Sequence, residues 1–240
     1  MKDKLLYLTG CSFTDNLDTY YDAYSYINNN FTYKSFAYPS RSNFQILDDL
    51  KLMKPSSIAI IQWSALTRPN GMVEYDFDYN KDLNEKLEKA ENPLHFLIET
   101  FIDVVNEATS ILEQKNIKYF QYIGWNQWYD HELNDDLRNK LNKLSITWFS
   151  SKKTLDLIAD NCWSLSQQSS STSEYGLYEW DDIKWGGMSE WIRDNINNPR
   201  LRYVSTEKYN NNCDPHPSPY AGDLFYKEVI IPKIHELYNI

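Results

Sequence analysis

Short apolar runs separated by helical patterns limit the folds open to this chain more than any other feature. Four runs are apolar on both faces: LLYLTG (5–10), SIAIIQWS (57–64), IKYFQYIGW (117–125) and LRYVS (201–205). A weaker fifth, YKSFAYP (33–39), ends at Pro39. A strand with no polar face must be covered on both sides, as the strands of parallel sheets are. Between the runs lie amphipathic patterns. SNFQILDDLKLM (42–53) sets Phe44, Ile46, Leu47 and Leu50 on roughly one face, behind a Ser42 or Asn43 cap. Residues 92–116 give the longest helix, with Pro93 near its start, and residues 217–238 the last, which Pro232 kinks or splits. Strands alternating with helices imply βαβ crossovers, hence an α/β fold in three α/β/α layers around a five-stranded parallel sheet.

Two stretches break the alternation, 65–91 and 126–200. The first is polar and charged and reads as an insertion. The second holds SLSQQSSSTSE and the aromatic stretch YGLYEWDDIKWGGMSEWI. Loops of that length in a compact domain are functional or disordered. Because Trp180, Trp185 and Trp191 follow the Ser-rich run closely, the stretch is expected to form a lid or subdomain and not a linker. The 240 residues then make one domain, 1–240, with two insertions.

Composition excludes several classes. A net charge of −10 offers no basic stripe for nucleic acid. No apolar run is long enough to span a bilayer, and the N-terminus lacks the order of a secretory signal. Cys11, Cys162 and Cys213 are odd in number and form no CxxC pair, so neither a disulfide framework nor a zinc site is expected. Folding in a reduced cytoplasmic compartment is the simplest expectation. With 7 Gly and no glycine-rich loop after a strand, a nucleotide binder is disfavoured. No metal or cofactor is expected. The 19 Tyr and 8 Trp suit a surface that meets sugars or protein partners, or reflect a compositional bias of the source.

Two stretches carry chemistry. The first strand ends Gly10-Cys11-Ser12, a turn that leaves a small side chain exposed at the carboxyl edge of a sheet. The plainer role for Ser12 and Thr14 is to cap the next helix. Near the other end, Asp214 and His216 flank Pro215 in a loop stiffened by Pro217. Such a pair, placed before a terminal helix, supplies the base and orienter of a Ser-His-Asp arrangement. The plainer reading is a solvated pair on a proline-rich loop. Cys11 is a rival nucleophile, disfavoured because a residue adjacent to Ser12 along the turn points elsewhere. His95 and His235 lie within helical runs. His131 follows Asp130 but has no strand-end nucleophile near it.

Taken together, LYLTGCSFT and DPHPSPYAGDLFY resemble the first and last sequence blocks of the SGNH (GDSL-type) hydrolases. HPSxxG/A ahead of an apolar helix is the closest part of the match. The resemblance implies a flavodoxin-like sandwich, Ser12 as nucleophile, and Asp214 and His216 as its partners. It also implies two middle blocks. AYPSRSNFQIL stands where a turn gives an oxyanion N–H, here from Ser40 or Arg41. IIQWSALTR stands where a strand end gives a side-chain donor, here Gln62 or Ser64; the N–H of Ser12 completes the hole. The chain departs from the family pattern in three places. GCS replaces GDS, Ser40 stands for the second-block Gly, and the third-block Asn is absent. The QWS…R form is similar to phage-encoded members of the family, which implies a viral source.

The expected activity is a serine esterase acting through an acyl-enzyme on a small-molecule or carbohydrate ester such as an O-acetylated sugar. Trp63 and Trp185 are the candidate substrate-binding rings, with Trp180, Trp191, Tyr175 and Tyr178 nearby in sequence. The alternative is a non-catalytic structural or binding protein of a virion, built on the same fold.

Overall fold

The computed structural model of the chain describes residues 5–39, 41–64, 66, 85–125, 128, 130–151, 183–198, 201–204 and 214–239. Of His131, Tyr203, Val204, Asp214 and Pro215 only the backbone is described.

The fold is mixed α/β. Four strands form a parallel sheet in the order β2-β1-β3-β4: β1 (Leu5–Thr9), β2 (Thr32–Ser35), β3 (Ile58–Trp63) and β4 (Lys118–Ile123). Two-residue periodicity sorts their side chains onto two faces. Tyr7, Ala59, Ile61, Trp63 and Ile123 share one cluster with Ile46 and Leu50 of α3 (Asn43–Leu52), with Ile98 and Val105 of α4 (Pro93–Gln114), and with Leu137 of α5 (Asp135–Asn142). Leu6, Leu8, Ile58, Ile60, Phe120 and Tyr122 form the opposite cluster. They pack there with Ile27 of α2 (Tyr21–Asn30), Ile192 of α6 (Met188–Asn195), Phe225 of α7 (Pro219–Phe225) and Ile234 of α8 (Ile231–Tyr238). Helices therefore cover both faces. That is why every residue of β3 is buried.

Local chemistry sets the helix starts. Ser42 caps α3 and makes a reciprocal capping box with Gln45. Asn92 accepts the N–H of His95 ahead of Pro93, and Ser218 accepts that of Ala221 ahead of Pro219. The last helical stretch is divided, as Pro232 predicts. A π turn at Tyr226–Ile230 separates α7 from α8, and Pro232 lies in the first turn of α8, where its missing N–H is tolerated.

The expectation that LRYVS joins the parallel sheet is corrected. Within LRYVS, β5 (Tyr203–Val204) pairs antiparallel with β6 (Asp214–Pro217) in a separate two-stranded ribbon. The described parallel sheet has four strands, and beyond β4 the Thr147 N–H donates to the Gln121 carbonyl at 2.8 Å. A short apolar run reads the same whether it joins a sheet or a ribbon. Of the two expected insertions, residues 67–84 and 152–182 lie outside the described residues.

Candidate active site

The strand order makes a crevice. From β1 the chain moves outward to β2 on one side, then returns to β3 on the other, so the connections diverge at the carboxyl ends of β1 and β3. Open α/β sheets hold their ligands at such a point. The sequence delivers three of the predicted residues there: Ser12 just past β1, Ser64 just past β3, and His216 on β6, which packs against the short helix α1 (Ser12–Asp15).

Ser12 and His216, 204 positions apart in sequence, meet at 2.5 Å between Oγ and Nε2. Cys11, in extended backbone, is the N-cap of α1, which makes Ser12 the first helical residue. Its N–H is then one of those left without an intrahelical acceptor. Ser12 is 7% exposed and His216 half-buried. When Nε2 accepts the hydroxyl proton, the ring proton resides on Nδ1. The Phe13 ring stands edge-on to the imidazole with centroids 5.4 Å apart, and itself packs on Trp125 at 5.1 Å. Asp214 opens β6 two positions before His216; its carboxylate lies outside the described side chains.

Gln62 sits behind the turn, fully buried. Its Oε1 accepts from the Cys11 N–H (3.2 Å), the Cys11 thiol (3.3 Å) and the Thr14 hydroxyl (3.2 Å). Its Nε2 donates to the Trp63 carbonyl at 2.8 Å and to Cys11 Sγ at 3.2 Å. Both ends of the amide are engaged by the protein, which places Gln62 among the supports of the turn. Cys11 is itself 0% exposed and packed in the core.

Ser64 is different. Its backbone is held by Asn43, while its hydroxyl, 1% exposed, has no partner among the described residues. Arg41 directs its guanidinium to Asp49 (2.7 and 2.9 Å) and to the Phe36 carbonyl (2.5 Å), and Asp49 also accepts from the Thr9 hydroxyl at 2.8 Å. This network ties the β2–α3 loop to the end of β1. Burial raises the Asp49 carboxyl above its usual range even though Arg41 and Thr9 pull it down. Ser40 lies outside the described residues.

The aromatic expectations need correction. Trp63 and Trp185 are 0% and 1% exposed and belong to the core under α3 and α4, with the Trp63 indole donating to Gln121 Oε1 at 2.9 Å. Indoles so enclosed have no face to offer a substrate. Trp191 packs on Phe225 at 5.2 Å, and Trp180, Tyr175 and Tyr178 lie outside the described residues. His95 bonds the Glu132 carbonyl and His235 the Tyr26 hydroxyl, each at 2.7 Å. The side chain of His131, like Cys162 and Cys213, lies outside the described residues.

No protein-family model, curated protein or solved structure matches this chain. The site is therefore read from its own residues. Among the described residues no cluster of His, Cys, Asp and Glu is arranged to hold a metal, and no helix is long and apolar enough to cross a membrane.

Sequence reasoning passed over Phe13, Thr9 and Asp49, and read Asn43 only as a possible helix cap. Phe13 follows the nucleophile candidate directly, and Asn43 adjoins the Ser42 cap, so both lay within motifs already singled out. Thr9 and Asp49 carried no signal, because their pairing spans 40 residues.

Proposed function

We propose that the protein is a serine ester hydrolase of SGNH type on a flavodoxin-like sandwich. The observation that carries the reading is the contact of Ser12 Oγ with His216 Nε2, made across nearly the whole chain at the crevice of a parallel sheet. A structural role would not require a hydroxyl and an imidazole to be paired at that place.

In the proposed reaction His216 takes the Ser12 proton as Oγ bonds to the ester carbonyl carbon. The tetrahedral intermediate collapses, the carbon–oxygen bond to the alcohol breaks, and His216 returns the proton to the leaving alcohol. Water, deprotonated by His216, then attacks the acyl-enzyme and releases the acid and free Ser12. Asp214 is the orienter of the ring. The developing oxyanion is met by the Ser12 N–H, by an N–H of Ser40 or Arg41, and by the Ser64 hydroxyl, which has no hydrogen-bond partner among the described residues. Gln62 is left out of this set because its amide is engaged elsewhere. The substrate class is a small-molecule or carbohydrate ester.

Hydrolysis of p-nitrophenyl acetate by the wild type, with Ser12→Ala and His216→Ala each lowering kcat by at least about a thousand-fold, is expected. A fluorophosphonate should label Ser12 and no other residue. Absence of both turnover and labelling in the folded wild type refutes the reading and leaves a binding protein, such as a virion component, in its place.

A further inference from the structure

The geometry points to Gln62 as the positioning residue of the nucleophile turn, acting on Ser12 through Cys11 and Thr14. The inference rests on the proposed hydrolase reading for its catalytic consequence, but the clamp itself is a matter of hydrogen bonds.

A glutamine at the fifth position of a wholly buried strand is costly unless its amide is satisfied at both ends. Here it is. Oε1 collects three donors from the turn, one of them the backbone N–H of Cys11, and Nε2 donates to the backbone of its own strand and to Cys11 Sγ. The amide also fills the space left by two glycines. A Cβ on Gly10 would stand 2.9 Å from Gln62 Oε1 and 2.7 Å from Thr14 Oγ1, and one on Gly124 would stand 2.9 Å from Gln62 Nε2. Residues 10, 11, 14 and 124 thus enclose one side chain, and that side chain fixes the residues on both sides of Ser12 to β3. The nucleophile turn is thus tied directly to β3. An apolar residue of similar length would fill the volume but leave the Cys11 N–H without an acceptor, freeing the turn to shift. A displacement of about an ångström between reacting groups costs on the order of a hundred-fold in rate.

Two variants test this, each checked for folding by circular dichroism. Gln62→Leu removes both ends of the amide. It is expected to lower kcat for p-nitrophenyl acetate about a hundred-fold with KM changed less than about two-fold. The Cys11 amide should also exchange its hydrogen faster than in the wild type. Gln62→Glu gives a readout that packing alone would not move. Enclosure raises a carboxyl at this position above its usual range, against the pull of the donors that meet Oε1. The protonated acid can still accept from Cys11 and donate to the Trp63 carbonyl. The ionised form cannot donate. Its activity should therefore approach wild type at the acid end of a profile between about pH 5 and pH 9 and fall at the alkaline end, where the wild type holds its plateau. A folded Gln62→Leu with wild-type kcat, or with wild-type exchange at Cys11, overturns the assignment. If Gln62→Leu does not fold, a Gln62→Glu profile parallel to wild type overturns it. Should the wild type neither turn over substrate nor label at Ser12, the hydrolase reading fails by itself. Exchange at Cys11 then decides the clamp: faster in Gln62→Leu supports it, unchanged rejects it.

Discussion

Asn43 grips the backbone of Ser64 on both sides, its Oδ1 accepting the Ser64 N–H at 2.7 Å and its Nδ2 donating to the Ser64 carbonyl at 3.3 Å. The first residue of α3 thereby holds the residue that leaves β3, across 21 positions. Asn43→Ala leaves two buried backbone groups without these partners. It should cost about 2–4 kcal/mol in urea unfolding, and in the proposed reaction it should lower kcat more than it raises KM, because the Ser64 hydroxyl loses its seat. An unfolding midpoint equal to wild type would show that the amide holds nothing.

The burial of Asp49, only partly offset by Arg41, makes stability depend on pH in a definite direction. Arg41 is 21% exposed and Asp49 only 5%, so removing the guanidinium strands a buried carboxylate. The Asp49 carboxyl is already raised by burial above 3.8, and without Arg41 it rises further. A raised acid binds its proton more tightly in the folded chain than in the unfolded one. Stability from this group is therefore fullest below 3.8 and declines as pH climbs through the folded value. Arg41→Met should cost about 3 kcal/mol near neutrality and distinctly less near pH 4. Urea titrations at the two pH values measure the difference, and an equal loss at both refutes it.

Three tyrosines, Tyr20, Tyr122 and Tyr226, are wholly buried on the face of the sheet behind Cys11. Burial pushes Tyr226 up to about 12 and the other two well above 10.0. The unfolded chain loses these protons first, so stability is intact below about pH 10 and falls as pH rises beyond it, by up to about 1.4 kcal/mol per unit for each ring. Tyr226→Phe should flatten that alkaline fall by roughly a third. Unfolding free energy measured across the alkaline range would expose an unchanged slope.

Gly222 in α7 has no room for a side chain, because a Cβ there would lie 2.1 Å from Cε1 of the Tyr20 ring. Alanine ordinarily favours a helix over glycine by about 1 kcal/mol. Here Gly222→Ala should instead destabilise by about 1–3 kcal/mol through overpacking. The strain should reach the site as well, for the Tyr20 hydroxyl donates to the Phe13 carbonyl at 3.0 Å, one residue past Ser12. A raised melting midpoint would contradict this.

Much of the scaffold was legible in the residues. Apolar runs without a polar face marked β1, β3 and β4, and the Ser42 cap of α3 and Pro93 at the start of α4 stood where local chemistry puts them. The break ahead of the last helix followed from the missing N–H of Pro232. LRYVS was misassigned because its partner, the ribbon strand carrying His216, is chosen by long-range pairing that a run of apolar residues does not encode.

The sequence by itself therefore determined that buried strands alternate with capped helices and that a serine and an imidazole lie in short motifs near opposite ends of the chain, because periodicity, capping and proline geometry act over a few residues. Only the tertiary structure decided that those motifs meet. It also decided that Trp63 and Trp185 are interior, that Gln62 supports the turn and does not face the crevice, and that Asn43 holds Ser64. Those outcomes depend on which surfaces the sheet order brings into contact and on which polar groups it encloses.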